Sequence, residues 1–256
     1  MIKLTQEREM TMGLKYSKDY TVSYFDADVN SNMKLPNLMS VALEVSGEQS
    51  SVVGRSDKYL IDTYGCAWVV LEYKFEITRL PVYEEKLKIV TEATSYNKFF
   101  TYRDFVYYDQ DGQELVKISS TWSLMNLQER KIENITDEIV APYHSEKLNK
   151  LVRGNKYKRL EDYTIEHQYS VRFYDLDING HVNNTKYFDW LVDVLDDQFL
   201  TDYEPTTMYF KYIKEIHYGS QVESKVLVEN LTTYHEIYTG SEKNAQAEII
   251  WRKRNK

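Results

Sequence analysis

The residues best suited to chemistry lie in one short segment, 175–184, which reads DLDINGHVNN. Asp177, Asn179 and His181 alternate along it, and a pattern typical of a helix follows directly. Free backbone N–H groups at the start of a helix favour an oxygen that gains negative charge. An amide donor, an imidazole and a carboxylate add the groups that polarise a carbonyl and activate water. The segment therefore indicates attack of water on a carbonyl group, as in thioester hydrolysis.

The same segment resembles the start of an EF-hand calcium loop, because oxygen-bearing side chains alternate and Gly180 follows them. Such a loop requires a bidentate glutamate at its twelfth position. Counted from Asp175, that position is Lys186, and the residues before the loop alternate like a strand instead of forming a helix. We therefore expect no calcium site, and the sequence predicts neither a metal nor another cofactor.

The chain contains this segment twice. The stretch that starts at Val22 aligns without gaps with the stretch that starts at Val171. The alignment places Asp26 on Asp175, Asp28 on Asp177, and Asn30 on Asn179. The copies differ where the first has Asn32 and the second has His181, so only the second copy can titrate near neutrality.

A structural role is the alternative for these side chains, since Asp and Asn before helices usually serve as caps and turns. We expect that role for Asp26, Asp28 and Asp175. Capping alone does not explain why one copy has a histidine, which favours a catalytic role for the second copy.

Each copy is followed by apolar residues with the period of a helix: Leu38, Val41, Ala42 and Val45 in the first, and Tyr187, Trp190, Leu191 and Val194 in the second. Runs typical of strands come next in both halves. Each unit is thus predicted to be a strand, a loop, one long helix and several strands joined largely by hairpins. This α+β pattern is that of a hot-dog unit, in which a sheet wraps around its helix, and two units predict a double hot dog.

The predicted boundaries are an N-terminal unit at 1–136, a polar, lysine-rich linker at 137–161 and a C-terminal unit at 162–256. A sheet around a single helix leaves apolar surface uncovered, so the two units should pack together as a pseudo-dimer. A homodimer of the whole chain stays open.

Composition excludes several classes of protein. A formal charge of −8 disfavours nucleic-acid binding that depends on a basic surface. The single cysteine, Cys66, excludes an intramolecular disulfide and a cysteine-based zinc site. No stretch approaches the roughly 18 apolar residues of a membrane span, and the N-terminus has no apolar signal core. We therefore expect a cytoplasmic location and no membrane span.

The sequence DLDINGHVNNTKYFDWLVD resembles the catalytic segment of the acyl-acyl carrier protein thioesterases, the plant plastid enzymes and their bacterial relatives. The resemblance covers essentially the whole chain. It implies a thioesterase that releases fatty acid from acyl carrier protein and so ends fatty-acid synthesis. It assigns the family's Asp, Asn and His positions to Asp177, Asn179 and His181, and its catalytic glutamate to Glu215.

The plant enzymes carry a cysteine after that glutamate, and here the position is Ile216. A Cys–His mechanism is therefore excluded at this site, and we expect Cys66 to be a small buried residue. Which carboxylate activates water, Glu215 or Asp177, stays open, as does direct attack by Asp177 to give an anhydride.

The first unit, freed from catalysis, is expected to line the acyl-chain pocket with Leu38, Val41, Ala42, Val45 and Trp68. Because acyl carrier protein is acidic, docking requires a local basic patch. Lys156, Lys158 and Arg159 are the first candidate, with residues 252–254 as the alternative. The rival functions are a hot-dog acyl-CoA thioesterase, a hydroxyacyl dehydratase, which the V-N-N segment fits poorly, and a non-catalytic acyl-binding protein.

Overall fold

The computed structural model describes residues 13–254. Its strands are β1 (Lys15–Thr21), β2 (Cys66–Ile77), β3 (Lys86–Tyr96), β4 (Thr101–Tyr108), β5 (Glu114–Asn126), β6 (Lys131–Glu133), β7 (Glu146–Lys147), β8 (Ile165–Ser170), β9 (Tyr203–Tyr212), β10 (Gln221–Glu229), β11 (Thr232–Thr239) and β12 (Glu242–Lys253). Its α-helices are α1 (Leu35–Val52), α2 (Asp57–Tyr64), α3 (Asp137–Val140), α4 (Lys186–Asp193) and α5 (Asp197–Asp202).

The strands form one continuous sheet whose two halves belong to the two units. The order is β1-β3-β4-β5-β2 in the first half and β9-β12-β11-β10-β8 in the second, with β6 beside β5 and β7 beside β3. The halves meet where β2 pairs antiparallel with β9, as in the pair Phe75 and Met208. This architecture confirms the predicted α+β double hot dog and its internal pseudo-dimer.

The first helix, α1, is the 18-residue helix that the sequence predicts. Pro36 lies in its first turn, where the missing N–H is not needed. Leu38, Ala42 and Val45 are fully buried in the main core, and Val41 is 6% exposed. The periodic face of α1 is therefore the face that packs against the sheet.

The prediction of one long helix in the second unit is wrong. Helix α4 has only 8 residues, and the chain starts again as α5. The break occurs because Asp196 caps α5, where its carboxylate accepts the N–H of Phe199 at 2.7 Å. A residue that caps a helix in this way has non-helical backbone angles, so α4 cannot continue through it.

The segment predicted as a linker, 137–161, contains the short elements α3 and β7. Ile139 and Val140 of this segment are buried in a small cluster with Leu60 and Cys66. Residues 148–161 have no helix or strand. The polar linker sequence thus starts with a structured part that packs on the first unit.

Two further findings concern the described residues 13–254 only. None of their helices is long and apolar enough to cross a membrane. Their His, Cys, Asp and Glu side chains form no group of three or more that could hold a metal ion.

Candidate active site

The second copy of the repeated loop is a tight turn between β8 and α4. The N–H of Asp177 donates to the carbonyl of His181 at 2.8 Å, and the N–H of Gly180 donates to the carbonyl of Asp177 at 3.1 Å. Gly180 has a φ of +80°, which glycine adopts without strain. This turn brings residues 177 and 181 to its two ends and leaves Asn179 at its tip.

The Asp177 carboxylate shapes the loop. Its Oδ1 accepts the backbone N–H groups of Asn179 at 2.8 Å and of His181 at 3.1 Å. The arrangement is the local turn that aspartate commonly forms with the backbone two residues on. One oxygen of this carboxylate is therefore committed to the backbone, which makes Asp177 less suited to attack a substrate.

The structure brings His181 and Glu215 together from two parts of the second unit. The N–H of Val182 donates to the carbonyl of Ile216 at 3.1 Å, which places the loop beside the segment after β9. His181 Nε2 then lies 3.5 Å from Glu215 Oε2, and both side chains are about one-third exposed, at 33% and 36%. The imidazole ring of His217 lies beside His181, with ring centroids 5.5 Å apart. A water bound to one side of His181 and Glu215 would thus meet both a base and a proton carrier.

Arg130, which sequence reasoning missed, reaches this pair from the first unit. Its Nη2 lies 2.5 Å from Glu215 Oε2. Arg130 stands in the turn between β5 and β6 with a φ of +56°, and its N–H donates to the carbonyl of Asn126 at 2.9 Å. Residues 130 and 215 are far apart in the chain and share no motif, so only the tertiary structure could find their contact.

Asn179 has a different environment from its partners. It is exposed, and its side-chain amide makes no hydrogen bond to the residues that the structure describes. The amide is therefore available to donate to an oxygen of a bound substrate. The predicted set of Asp177, Asn179, His181 and Glu215 is thus grouped around one loop, although only His181 and Glu215 contact each other through their side chains.

A cavity of about 250 Å³ lies beside helix α1 and reaches Asn184, the last residue of this loop segment, but Asp177, Asn179, His181 and Glu215 do not line it. Asn184, from the V-N-N segment, lines it on the side of the second unit, and Trp68 lines it on β2. Helix α1 contributes Leu43, Ser46, Gly47 and Ser50. The predicted lining residues Leu38, Val41, Ala42 and Val45 lie instead in the main core. Of the predicted set, the structure places only Trp68 in the wall of this cavity.

A buried arginine also lines the cavity. Arg103 Nη1 donates to Gln49 Oε1 at 2.6 Å and to Thr91 Oγ1 at 2.9 Å, and the guanidinium lies over the ring of Tyr143 at 5.4 Å. No described carboxylate forms an ion pair with it, and burial lowers the pKa of Arg103 to about 10. An uncompensated buried charge disfavours apolar groups beside it. Arg103 therefore gives one wall of the cavity a polar character.

Cys66 lies outside the site, in the small cluster that contains Leu60. Its thiol is buried, and burial together with the nearby Glu133 carboxylate raises its pKa. A raised pKa lowers the thiolate fraction that a nucleophile needs. The environment of Cys66 is thus that of a structural residue.

The chain matches two family models across most of its length. Residues 13–143 match the acyl-ACP thioesterase N-terminal domain, and residues 157–253 match the acyl-ACP thioesterase C-terminal domain. A crystal structure from Lactobacillus plantarum, provisionally named an oleoyl thioesterase, is similar at 34% identity with a TM-score of 0.90, over 95% of this chain and 98% of that one. The 12:0-ACP thioesterase from Umbellularia californica shares the fold at 19% identity, with a TM-score of 0.83 over 94% of this chain and 98% of that one.

Curated relatives are more distant and longer. The oleoyl-acyl carrier protein thioesterase of Coriandrum sativum is 26% identical over 83% of this chain and 62% of that protein. An acyl-[acyl-carrier-protein] hydrolase of Cuphea viscosissima is 24% identical over 83% of this chain and 54% of that protein. The chain therefore spans somewhat more than half the length of these curated relatives. With both family models matched in order on a double hot dog, the chain belongs to the acyl-ACP thioesterase family.

Proposed function

We propose that the protein hydrolyses the thioester of fatty acyl-acyl carrier protein, which yields free fatty acid and the carrier thiol. The observation that carries this proposal is the contact of His181 with Glu215, beside the loop that presents the side-chain amide of Asn179, which bonds to no described residue. Family membership supports the same reaction.

The site supports a general-base mechanism. The thioester carbonyl lies near Asn179, whose side-chain amide donates to the oxygen as it gains charge. Glu215 accepts a proton from water while the water oxygen forms a bond to the carbonyl carbon. The C–S bond then breaks, and the proton taken up by Glu215 passes through His181 to the departing thiolate, which restores both side chains. In this proposal Asp177 orders the loop and does not attack the substrate.

Arg130 has a positioning role in this mechanism. Its guanidinium holds Oε2 of Glu215, the oxygen that also faces His181, so Oε1 is the oxygen left to accept the proton from water. Because Arg130 comes from the first unit, Glu215 gains this contact only when the two units are packed together.

The acyl chain lies in the cavity beside α1, and its depth selects the chain length. Burial of each methylene contributes roughly 0.8 kcal/mol. A methylene placed against the Arg103 guanidinium does not gain this energy, since the charged group keeps that end of the cavity polar. We therefore propose that Arg103 marks the far limit of the acyl chain.

Docking of the acidic carrier uses a basic patch. Lys156 and Arg159 are exposed and form no ion pair with described residues, whereas Lys158 pairs with Glu229 at 2.6 Å. Arg252 and Arg254 both pair with Glu204. Because Lys156 and Arg159 are unpaired in the described part of the chain, the cluster at 156–159 is the better candidate for the docking surface. Charge reversal at Lys156 and Arg159 should raise KM for acyl carrier protein substrates and spare small acyl thioesters.

The test is release of free thiol from acyl-acyl carrier protein and from acyl-CoA by the same preparation. We expect a higher kcat/KM on the carrier protein. His181→Ala, Asn179→Ala and Glu215→Ala should each lower kcat by about 10² or more. Cys66→Ser is the matched control and should stay near wild type. Release from acyl-CoA alone would assign the chain to a different thioesterase, and a folded Cys66→Ser variant without activity would refute the mechanism.

A further inference from the structure

A second cavity, of about 890 Å³, lies at the first unit's copy of the loop. Its apolar walls include Met33 and Leu35 from the start of α1, Phe188 from α4 and Trp251 from β12. The repeat relates this position to that of the candidate active site. In the smaller cavity, Asn184 at the end of the second loop meets the helix of the first unit, and here the loop of the first unit meets the helices of the second.

The first loop keeps the backbone geometry of the catalytic loop. Asp28 Oδ1 accepts the N–H groups of Asn30 at 2.8 Å and of Asn32 at 2.9 Å, as Asp177 does in the second copy. Ser31 even takes a φ of +64° at the position of Gly180. The first loop therefore has the same backbone conformation as the second, although a non-glycine residue is strained at this φ angle.

The same backbone pairing identifies the counterpart of the catalytic glutamate. Met33 N–H donates to the carbonyl of Pro81 at 2.7 Å, in the way that Val182 N–H donates to Ile216. Leu80 therefore occupies the position of Glu215, and it lines the larger cavity. This correspondence was invisible in the sequence alignment, because the spacing between loop and strand differs in the two units.

The two sites differ in their titratable and charged side chains. Asn32 and Leu80 replace the histidine and the glutamate, so the first site has neither a proton carrier nor a general base. Lys34 aligns with the neutral Asn183 and adds a cation at the start of α1. Its Nζ donates to the carbonyl of Phe25 at 3.0 Å and pairs with no described carboxylate. Among the described residues, four cations line the cavity: Arg172, Lys186 and Arg254 pair with carboxylates, and Lys34 does not.

We infer that this cavity is a second acyl site, which binds a long-chain fatty acid without hydrolysing any bond. The ligand carboxylate lies at Lys34 and the N-terminal end of α1, and the chain extends along α4 and α5. The volume falls within the range of small-molecule sites. The carboxylates of Asp193 and Asp197 line the α4–α5 wall without a described lysine or arginine partner, whereas at the loop end Asp28 Oδ1 already accepts two backbone N–H groups and Lys34 has no described carboxylate partner. The inference rests on the proposed function, since free fatty acid is the product of that reaction.

The experiment measures how many fatty-acid molecules bind and where. The protein is titrated with palmitate by calorimetry, and with parinaric acid, a fluorescent long-chain fatty acid. Thr201→Trp fills the groove beside α5, and Lys34→Glu reverses the charge at the loop without removing any buried contact. Lys98→Glu, an exposed lysine in the turn between β3 and β4, is the matched control. Thiol release from acyl-acyl carrier protein is measured for every variant.

We expect two bound fatty acids in the wild type and one in Thr201→Trp. Lys34→Glu should weaken one site by about fivefold or more, with Lys98→Glu unchanged. Hydrolysis should stay within about twofold in all three variants. A single bound fatty acid that neither variant disturbs, or no binding at all, would overturn the second site. If the wild type released no thiol while two fatty acids still bound, the proposed hydrolysis would fail and the second site would stand.

Discussion

Gly47 on α1 offers the sharpest test of where the acyl chain lies. It lines the 250 Å³ cavity, and a Cβ built at this glycine would meet no atom within 4 Å. A leucine there places four carbon-sized groups in space that the acyl chain would otherwise use, worth about 3 kcal/mol of methylene burial. We therefore expect Gly47→Leu to lower kcat/KM for the longest accepted chains by about 1 to 3 kcal/mol relative to shorter ones.

Gly47→Leu should lower activity on long chains but should not lower the stability of the fold. Leucine favours a helix over glycine by roughly 0.5 to 1 kcal/mol, so Gly47→Leu should raise the free energy of unfolding slightly. Ala42→Leu is the matched control on the same helix, because Ala42 is fully buried in the core. Overpacking there should destabilise the protein by about 1 to 3 kcal/mol and leave the chain-length preference unchanged.

The assay is thiol release from a series of acyl carrier protein substrates of increasing chain length, combined with chemical denaturation of each variant. A Gly47→Leu protein that is stabilised but keeps the wild-type chain-length profile would refute the placement of the acyl chain. A shift in preference caused by Ala42→Leu in folded protein would show that the chain enters the core on the other face of α1.

Four further predictions concern single side chains. Arg130→Ala should lower kcat more than it changes KM and should alter the pH profile of kcat, since Glu215 loses its fixed position. Arg130→Lys should keep part of the kcat that Arg130→Ala loses. Arg103→Met should extend the useful cavity and raise kcat/KM for longer chains by about 4-fold per methylene gained, measured on the same substrate series. Asn32→Ala should leave kcat within about threefold in the thiol-release assay, because the first loop carries no catalytic group. Burial holds the pKa of His235 at about 3, far below its unfolded value. Between about pH 6.5 and 3 only the unfolded chain binds the extra proton, so the free energy of unfolding should fall as pH drops through that window. Denaturation of His235→Gln across this range should show a weaker pH dependence.

The loops were predictable from the sequence because their contacts are local. Asp177 bonds to the backbone two and four residues on, and Gly180 takes the left-handed conformation that the turn requires. Helix α1 was predictable for a similar reason, since its apolar period runs from Leu35 to Val45 without a competing cap. The double hot dog followed from the repetition of these local patterns.

The break after α4 shows where a local signal was misread. Tyr187, Trp190, Leu191 and Val194 have helical spacing, yet Asp196 caps a new helix two residues later. The capping chemistry of aspartate was visible in the sequence, but the apolar period outweighed it. The break matters for the larger cavity, since residues of both α4 and α5 line it.

The catalytic surroundings were decided by tertiary structure. The period of α1 identified its buried residues, but it could not show that Gly47 and Ser46, on the next face, line a cavity closed by the second unit. Nor could it show Arg130 at Glu215, or Leu80 at the equivalent position of the first site. Spacing along a chain encodes which residues share a face of one element. Which faces meet depends on how the two units pack across β2 and β9, and that packing is settled by the whole core together.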